Sequence, residues 1–254
     1  GRAAGGRRRH SGLVQLFTCG GSGEISHCLC AWDWTGRAAT SVNPHGICRG
    51  RSPPASAVGR KRLSENVVLP TVRVMIDANV LYPTVMREVV LGVARAGLFT
   101  PQWSPRILEE WARAAAKLGP EAETHARGEI AILNAGWPNA EIRYPVALEA
   151  RLWLPDPGDL HVLAAAIAGS SDAIMTVNAK DFPRNILTEE GLVRVDPDGY
   201  LQGCAEAQPE RVIPVAQSVL AEARRLSGDD WTMRALMKKA RLPRFGKTIE
   251  RAGV

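Results

Sequence analysis

The sequence predicts an α/β fold built on a parallel sheet covered by helices on both faces. Three observations predict it: short apolar runs ending near Asp or Asn, intervening stretches with helical apolar spacing, and brief connections marked by Gly and Pro. The first strand covers residues 72–76 and ends at Asp77, with Asn79 two residues on. A helical stretch over 84–96 follows and stops at Gly97. Ser104 and Pro105 open the next helix as N-cap and first helical residue, and Ile107, Leu108, Trp111, Ala114, Ala115 and Leu118 form its apolar face. It ends at Gly119-Pro120. A helix over 121–135 stops before Gly136-Trp137-Pro138, and a short strand is expected over 141–144.

Asp156-Pro157 then opens a helix running to Ala168, with Gly169 as its stop. Residues 173–177 read as a buried strand and 192–195 as another. Two further helices are expected, over 210–226 and 231–240, after a linker near 203–209. The organised domain is thus expected over 71–205, with a basic helical extension over 206–254.

Residues 1–70 show neither period and are rich in Gly, Arg, Ser and Ala. The first methionine is Met75, so this stretch reads as a disordered or non-native extension. Cys19, Cys28, Cys30 and Cys48 lie there with His27 and His45, but their spacing lacks the paired knuckles of structural zinc. Cys204 reads as a small hydrophobe rather than a nucleophile.

The net charge of +6 is unevenly divided. Residues 1–70 hold ten Lys+Arg against three Asp+Glu, 71–210 hold twelve against nineteen, and 211–254 hold ten against four. An acidic middle suits cation binding. A basic tail suits a polyanion or an acidic partner, and equally a solvated helical face. No apolar run approaches the roughly 20 residues of a membrane span, and the opening lacks the apolar region of a secretory signal. A cytoplasmic protein is expected.

Which acids could act together follows from geometry. In parallel sheets, ligands gather beyond the carboxyl ends of strands, where Asp77 lies. Glu110 sits about 100° from the centre of its helix's apolar face, whereas Glu109 sits about 160° away. Asp159 precedes Val162 and Leu163 by helical spacing and shares their inward face, although Asp156 and Asp159 also resemble an ordinary capping pair. Asp156 is assigned to capping. Thr176, Asn178 and Asp181 follow the strand over 173–177, at the same sheet edge. Carboxylates gathered there repel one another unless a cation neutralises them. Hard oxygen ligands without His or Cys favour Mg²⁺ or Mn²⁺.

Met75-Ile76-Asp77-Ala78-Asn79-Val80-Leu81, Ile107-Leu108-Glu109-Glu110-Trp111, the run from Leu154 through Asp159 to Ala166, and the run from Ile174 to Pro183 together resemble PIN domains, in family order. The resemblance covers residues 72–205 and is nearest to the VapC-like ribonuclease toxins of bacterial toxin–antitoxin pairs. It implies a three-layer α/β/α fold, metal-dependent endoribonuclease activity, and an RNA substrate. Asp77 and Asp159 would be the main metal ligands, Glu110 would complete the acidic cluster, Thr176 would hydrogen-bond within the site, and Asn79 would hold the Asp77 turn. Many family members carry Asp where this chain has Asn178; Asp181 is the candidate substitute. The resemblance also implies a cognate antitoxin and a possible homodimer, with no membrane partner. A non-catalytic PIN scaffold that binds RNA or protein is the alternative. A haloacid-dehalogenase phosphatase would require Asp at 79, and a dinucleotide-binding fold a glycine-rich turn after the first strand; neither is present.

Overall fold

The structure, a computed structural model, describes residues 71–253. The expected N-terminal extension over 1–70, with its four cysteines, lies outside the described residues. Four short strands, β1 (Arg73–Ile76), β2 (Thr100–Gln102), β3 (Ala173–Met175) and β4 (Val193–Val195), form one parallel sheet in the order β2-β1-β3-β4. Val74 aligns with Pro101 on one side and Ala173 on the other, and Ile174 aligns with Arg194. Every residue of β3, and Val74 to Ile76 of β1, is buried, as central strands covered on both faces require.

The strand order decides where a site can form. The chain leaves β1 towards β2, then returns past β1 to build β3. Right-handed crossovers therefore place the intervening helices on opposite faces. A crevice opens beyond the strand ends where the direction reverses, between β1 and β3. Both expected strand-end acids flank that point.

The helices of the first half follow the sequence signals closely. A short α1 (Ala78–Leu81) leads into α2 (Thr84–Arg95), which ends at Gly97 in the left-handed region, φ 80°. In α3 (Pro105–Ala116) the Ser104 hydroxyl accepts from Ile107 N at 3.2 Å, the cap its position predicts. Helix α4 (Pro120–Gly136) packs against α3. Buried Arg87 on α2 fastens the two helices to the region after β1. Its guanidinium donates to Leu81 O at 2.9 Å and to Glu129 at 2.9 Å, and lies 4.5 Å from the Trp111 ring centroid.

Elsewhere the structure corrects the sequence reading. The strand expected over 141–144 is only an isolated bridge between Trp103 and Glu141. The helix expected from Asp156 begins as a 3-10 turn (Pro157–Asp159) and becomes α5 (Leu160–Ala168) afterwards. The strands over 173–177 and 192–195 shorten to β3 and β4. Strand β2 and helices α1, α6 (Arg184–Glu189), α7 (Pro197–Ala207) and α10 (Pro243–Arg251) were not expected. The linker near 203–209 closes up: Gly203 lies inside α7, and only Gln208 separates it from α8 (Pro209–Ser227). Helix α9 (Met233–Lys239) follows.

The tail helices pack back on the sheet domain. Helix α8 lies on α2 at Gly92, where any Cβ would overlap Val215 Cγ1. Helix α10 packs on both α7 and α9. Among the described residues, no helix is long and apolar enough to cross a membrane.

Candidate active site

Asp77 leaves β1 at its carboxyl end, with its backbone N–H bonded to Met175 O of β3 at 3.1 Å. This bond draws the two strand ends together at the crevice. The carboxylate is 4 % exposed. Its Oδ2 accepts from Thr176 Oγ1 at 2.7 Å and from Asn79 Nδ2 at 2.5 Å. Asn79 also donates to Thr176 Oγ1 at 3.1 Å and accepts from Val177 N at 3.1 Å. The same threonine oxygen accepts from Asn178 N at 2.9 Å. Two polar side chains thus lock one carboxylate in place. Burial still pushes the Asp77 pKa up, outweighing the Thr176 hydrogen bond that lowers it, and Glu110 pushes it further.

Asp159 arrives from the other side of the crevice. It occupies the N-cap position of α5, yet its side chain makes no capping hydrogen bond. The capping alternative is therefore not realised by Asp159. Asp156 does cap: its Oδ1 accepts from Gly158 N at 2.7 Å. Asp159 Oδ2 is buried without a partner. Its pKa is pushed up to about 6, first by desolvation and then by the negative charges of Asp77, Asp156, Asp181 and Glu110. All five acids therefore share one electrostatic neighbourhood.

Their ligand atoms do not converge equally. Among the described residues, Asp156, Asp159 and Asp181 bring one oxygen each within 4.8 Å of one another. Asp77 and Glu110 flank this triad without joining it. Asp156, expected as a cap and capping Gly158 N, also lies in this triad. Asp181 is held by the Asn178 side-chain amide, which donates to its Oδ2. No basic side chain forms an ion pair with Asp77, Asp156, Asp159 or Asp181 among the described residues.

On α3 the two neighbouring glutamates separate as their angles predict. Glu109 is drawn into ion pairs with Arg113 at 3.3 Å and Arg127 at 3.0 Å, and the Arg127 hydrogen bond lowers its pKa. Glu110 turns towards the acids, and its Oε1 lies 2.7 Å from Nε2 of His161. That contact is close but not aligned as a hydrogen bond, and His161 Nδ1 has no partner either. His161 is fully buried. A histidine inside an otherwise apolar helical run was the available signal, and the sequence reading passed over it.

Residues 73–180 match the family model of the PIN domain. The parallel four-stranded sheet with its helices is likewise PIN-like. Comparison with curated proteins and with solved structures returned no match. The parallel sheet accounts for the placement of the acids at the crevice between β1 and β3. Outside it, Cys204 on α7 has its thiol pKa pushed up to about 11 by burial, consistent with a packed rather than a reactive cysteine. The apolar hollow lined by Leu98, Tyr200, Cys204 and Gln208 contains none of the acids.

The residues present fit a divalent cation. The donors are carboxylate oxygens alone, the choice of hard ions, and one buried oxygen has nothing else to bind. The same repulsion that raises the Asp159 pKa would be relieved by a bound positive charge.

Proposed function

We propose that the PIN-like domain of this chain is a metal-dependent endoribonuclease, the toxin component of a toxin–antitoxin pair, acting on RNA phosphodiester bonds. The observation that supports it best is the unpartnered Oδ2 of Asp159 amid four other acids at the sheet's crevice. Asp156, Asp159 and Asp181 would hold the ion, with Asp77 and Glu110 beside them. Bound there, Mg²⁺ or Mn²⁺ would supply an acidic centre able to stabilise developing negative charge and to make water a better nucleophile.

The chain's own groups supply position and charge. Thr176 and Asn79 fix the Asp77 carboxylate, so its orientation is set before substrate arrives. Asn178 orients Asp181 through its amide while adding no further negative charge. Glu110, half-exposed beside His161, can accept or deliver a proton at the mouth of the crevice. The RNA strand, carrying one negative charge per nucleotide, would approach this acidic surface only with cations present.

The deciding experiment incubates the full chain with single-stranded RNA and Mg²⁺ or Mn²⁺. Cleavage that EDTA abolishes, and that D77N and D159N each lose, supports the nuclease. A second reading, a non-catalytic scaffold, is favoured by one residue: Asn178 stands where many relatives carry an acid. RNA binding that ignores metal and both substitutions, without cleavage, would establish the scaffold instead. The toxin assignment has its own test. The product of the adjacent reading frame should copurify with the chain and suppress cleavage.

A further inference from the structure

We infer that the corner between α9 and α10 is a phosphate-binding surface that carries the backbone of single-stranded RNA towards the acidic site; this rests on the nuclease reading. Lys238, Arg241 and Lys247 are all exposed there, and no ion pair among the described residues engages them. Arg244 beside them reaches only to 3.8 Å from Asp198. Glu250, the one acid within α9 and α10 themselves, is taken by Arg234 at 3.2 Å.

An ordinary solvated face would look different in this same molecule. On α3 and α4, Arg113 and Arg127 each meet Glu109, and Arg127 also meets Glu123 at 2.7 Å. Arg106 meets Glu149, and Arg143 meets Glu141. Lys117, Lys180 and Arg184 are exposed without an ion pair among the described residues, but each stands singly on its own element or loop. At the α9–α10 corner three such cations lie on two helices packed against each other and on the turn between them. Uncompensated like charges repel, and a polyanion relieves that repulsion while releasing its own counterions.

Arg241 adds an independent sign. Its φ is 62°, in the left-handed region where a side chain is strained and glycine is not. The turn ends α9 in the usual way, with Leu242 N–H bonded to Met237 O at 2.8 Å. Glycine normally serves at this place, yet a cation occupies it. Strain retained at an exposed position points to use.

The corner is also anchored to the site's edge of the sheet. Thr176, which holds Asp77, donates its backbone N–H to Val195 O at 3.1 Å. Asp198 lies three residues beyond Val195, at most about 10 Å along the chain. Its buried carboxylate accepts from Arg244 N at 3.0 Å and Phe245 N at 2.9 Å, fixing the start of α10. Arg244 and its neighbours therefore stand at the same strand-end edge as the acids. An acidic protein would find the cations but would have no reason to meet the acids beside them.

The test uses the full chain and a fluorescent single-stranded oligoribonucleotide, titrated in EDTA over a range of salt concentrations. In the K238Q/R241Q/K247Q variant the slope of log affinity against log salt should flatten by about 2, since each lost phosphate contact on single strands accounts for about 0.7. Affinity at low salt should fall at least tenfold. With Mn²⁺ present, KM should rise while kcat is retained. R241G guards against misfolding: it should melt no lower than the parent, because it relieves the strained turn, yet bind RNA several-fold more weakly. An unchanged salt slope in the triple variant, with cleavage intact in the parent, overturns the corner alone. A parent that never cleaves RNA, but whose salt slope depends on these cations, overturns the nuclease and leaves the corner standing. Polyglutamate competing as well as RNA at equal charge would show an acidic-protein surface and overturn the phosphate assignment.

Discussion

Asp159→Asn should stabilise the metal-free protein at pH 8 while abolishing its proposed activity. Folding pushes the Asp159 pKa from 3.8 up to about 6. The folded chain therefore holds that proton more tightly than the unfolded chain. Stability falls as pH rises through this interval, and the loss is complete above it. Moving a carboxyl from 3.8 to about 6 corresponds to about 3 kcal/mol at full strength. Asp159 is only partly buried, so solvent screening reduces this to about 1–2 kcal/mol. The D159N variant has no proton to lose and escapes the penalty. Urea denaturation in EDTA should find it about 1–2 kcal/mol more stable than the parent at pH 8, narrowing to about 0.5 kcal/mol or less at pH 4.5. Adding Mn²⁺ should reverse the order, since a ligand at a hundred times its Kd adds about 2.7 kcal/mol to a protein that binds it. A D159N variant less stable than the parent at pH 8, or a gap that does not change with pH, would refute the idea that these acids are held together against their own repulsion.

Three further outcomes are expected. Thr176→Val removes the donor to Asp77 and the acceptor for Asn178 N–H, and should lower stability by about 1–2 kcal/mol while reducing cleavage more than RNA affinity; denaturation and steady-state kinetics check both. Gly92→Ala places a methyl against Val215 where α8 lies on α2, and should destabilise by about 1–3 kcal/mol by thermal melting, with kcat unaffected. Asp198→Ala releases two backbone N–H groups at the start of α10 and should cost about 1–2 kcal/mol; hydrogen exchange should then rise in α10 before it rises in β1.

Much of the fold was legible because its signals are local. Ser104-Pro105 opens α3, Gly97 ends α2, and the apolar runs Val74–Ile76 of β1 and Ala173–Met175 of β3 lie where a doubly covered sheet needs them. What the sequence hid is held by distant partners. Strand β2 is three residues, Thr100-Pro101-Gln102, with no strand-like period; only its pairing with β1 makes it a strand. Helix α7 did carry a readable signal, Asp196-Pro197, the same start pattern as at Ser104-Pro105, with the Asp196 side chain capping Gly199. Glycines at 199 and 203 obscured it. Helix α10 shows Phe245 and Ile249 one turn apart, yet Gly246 between them weakens any helical expectation until its close fit against Met237 is seen.

The site was legible as a neighbourhood and less so as a geometry. Helical angle separated Glu110 from Glu109, and strand ends singled out Asp77 and Thr176. The closeness of Asp156 to Asp159 and Asp181 could not be read, because it depends on a tight 3-10 turn that bends the chain ahead of α5. His161 was hidden for the opposite reason: its neighbours in sequence are apolar, and its contact with Glu110 spans two helices.

The two outer strands have a consequence for how this molecule can associate. Pro101 is the residue of β2 that faces away from β1, and it has no N–H to offer a newcomer. Beyond it, Trp103 is already bonded to Ala140 and Ile142. On the opposite flank, β4 turns outward only at Arg194, whose guanidinium grips the carbonyls of Ala179 and Phe182. Among the described residues, the β2 flank therefore offers an incoming strand no backbone donor at its outward position, which discourages lengthening of the sheet on that side.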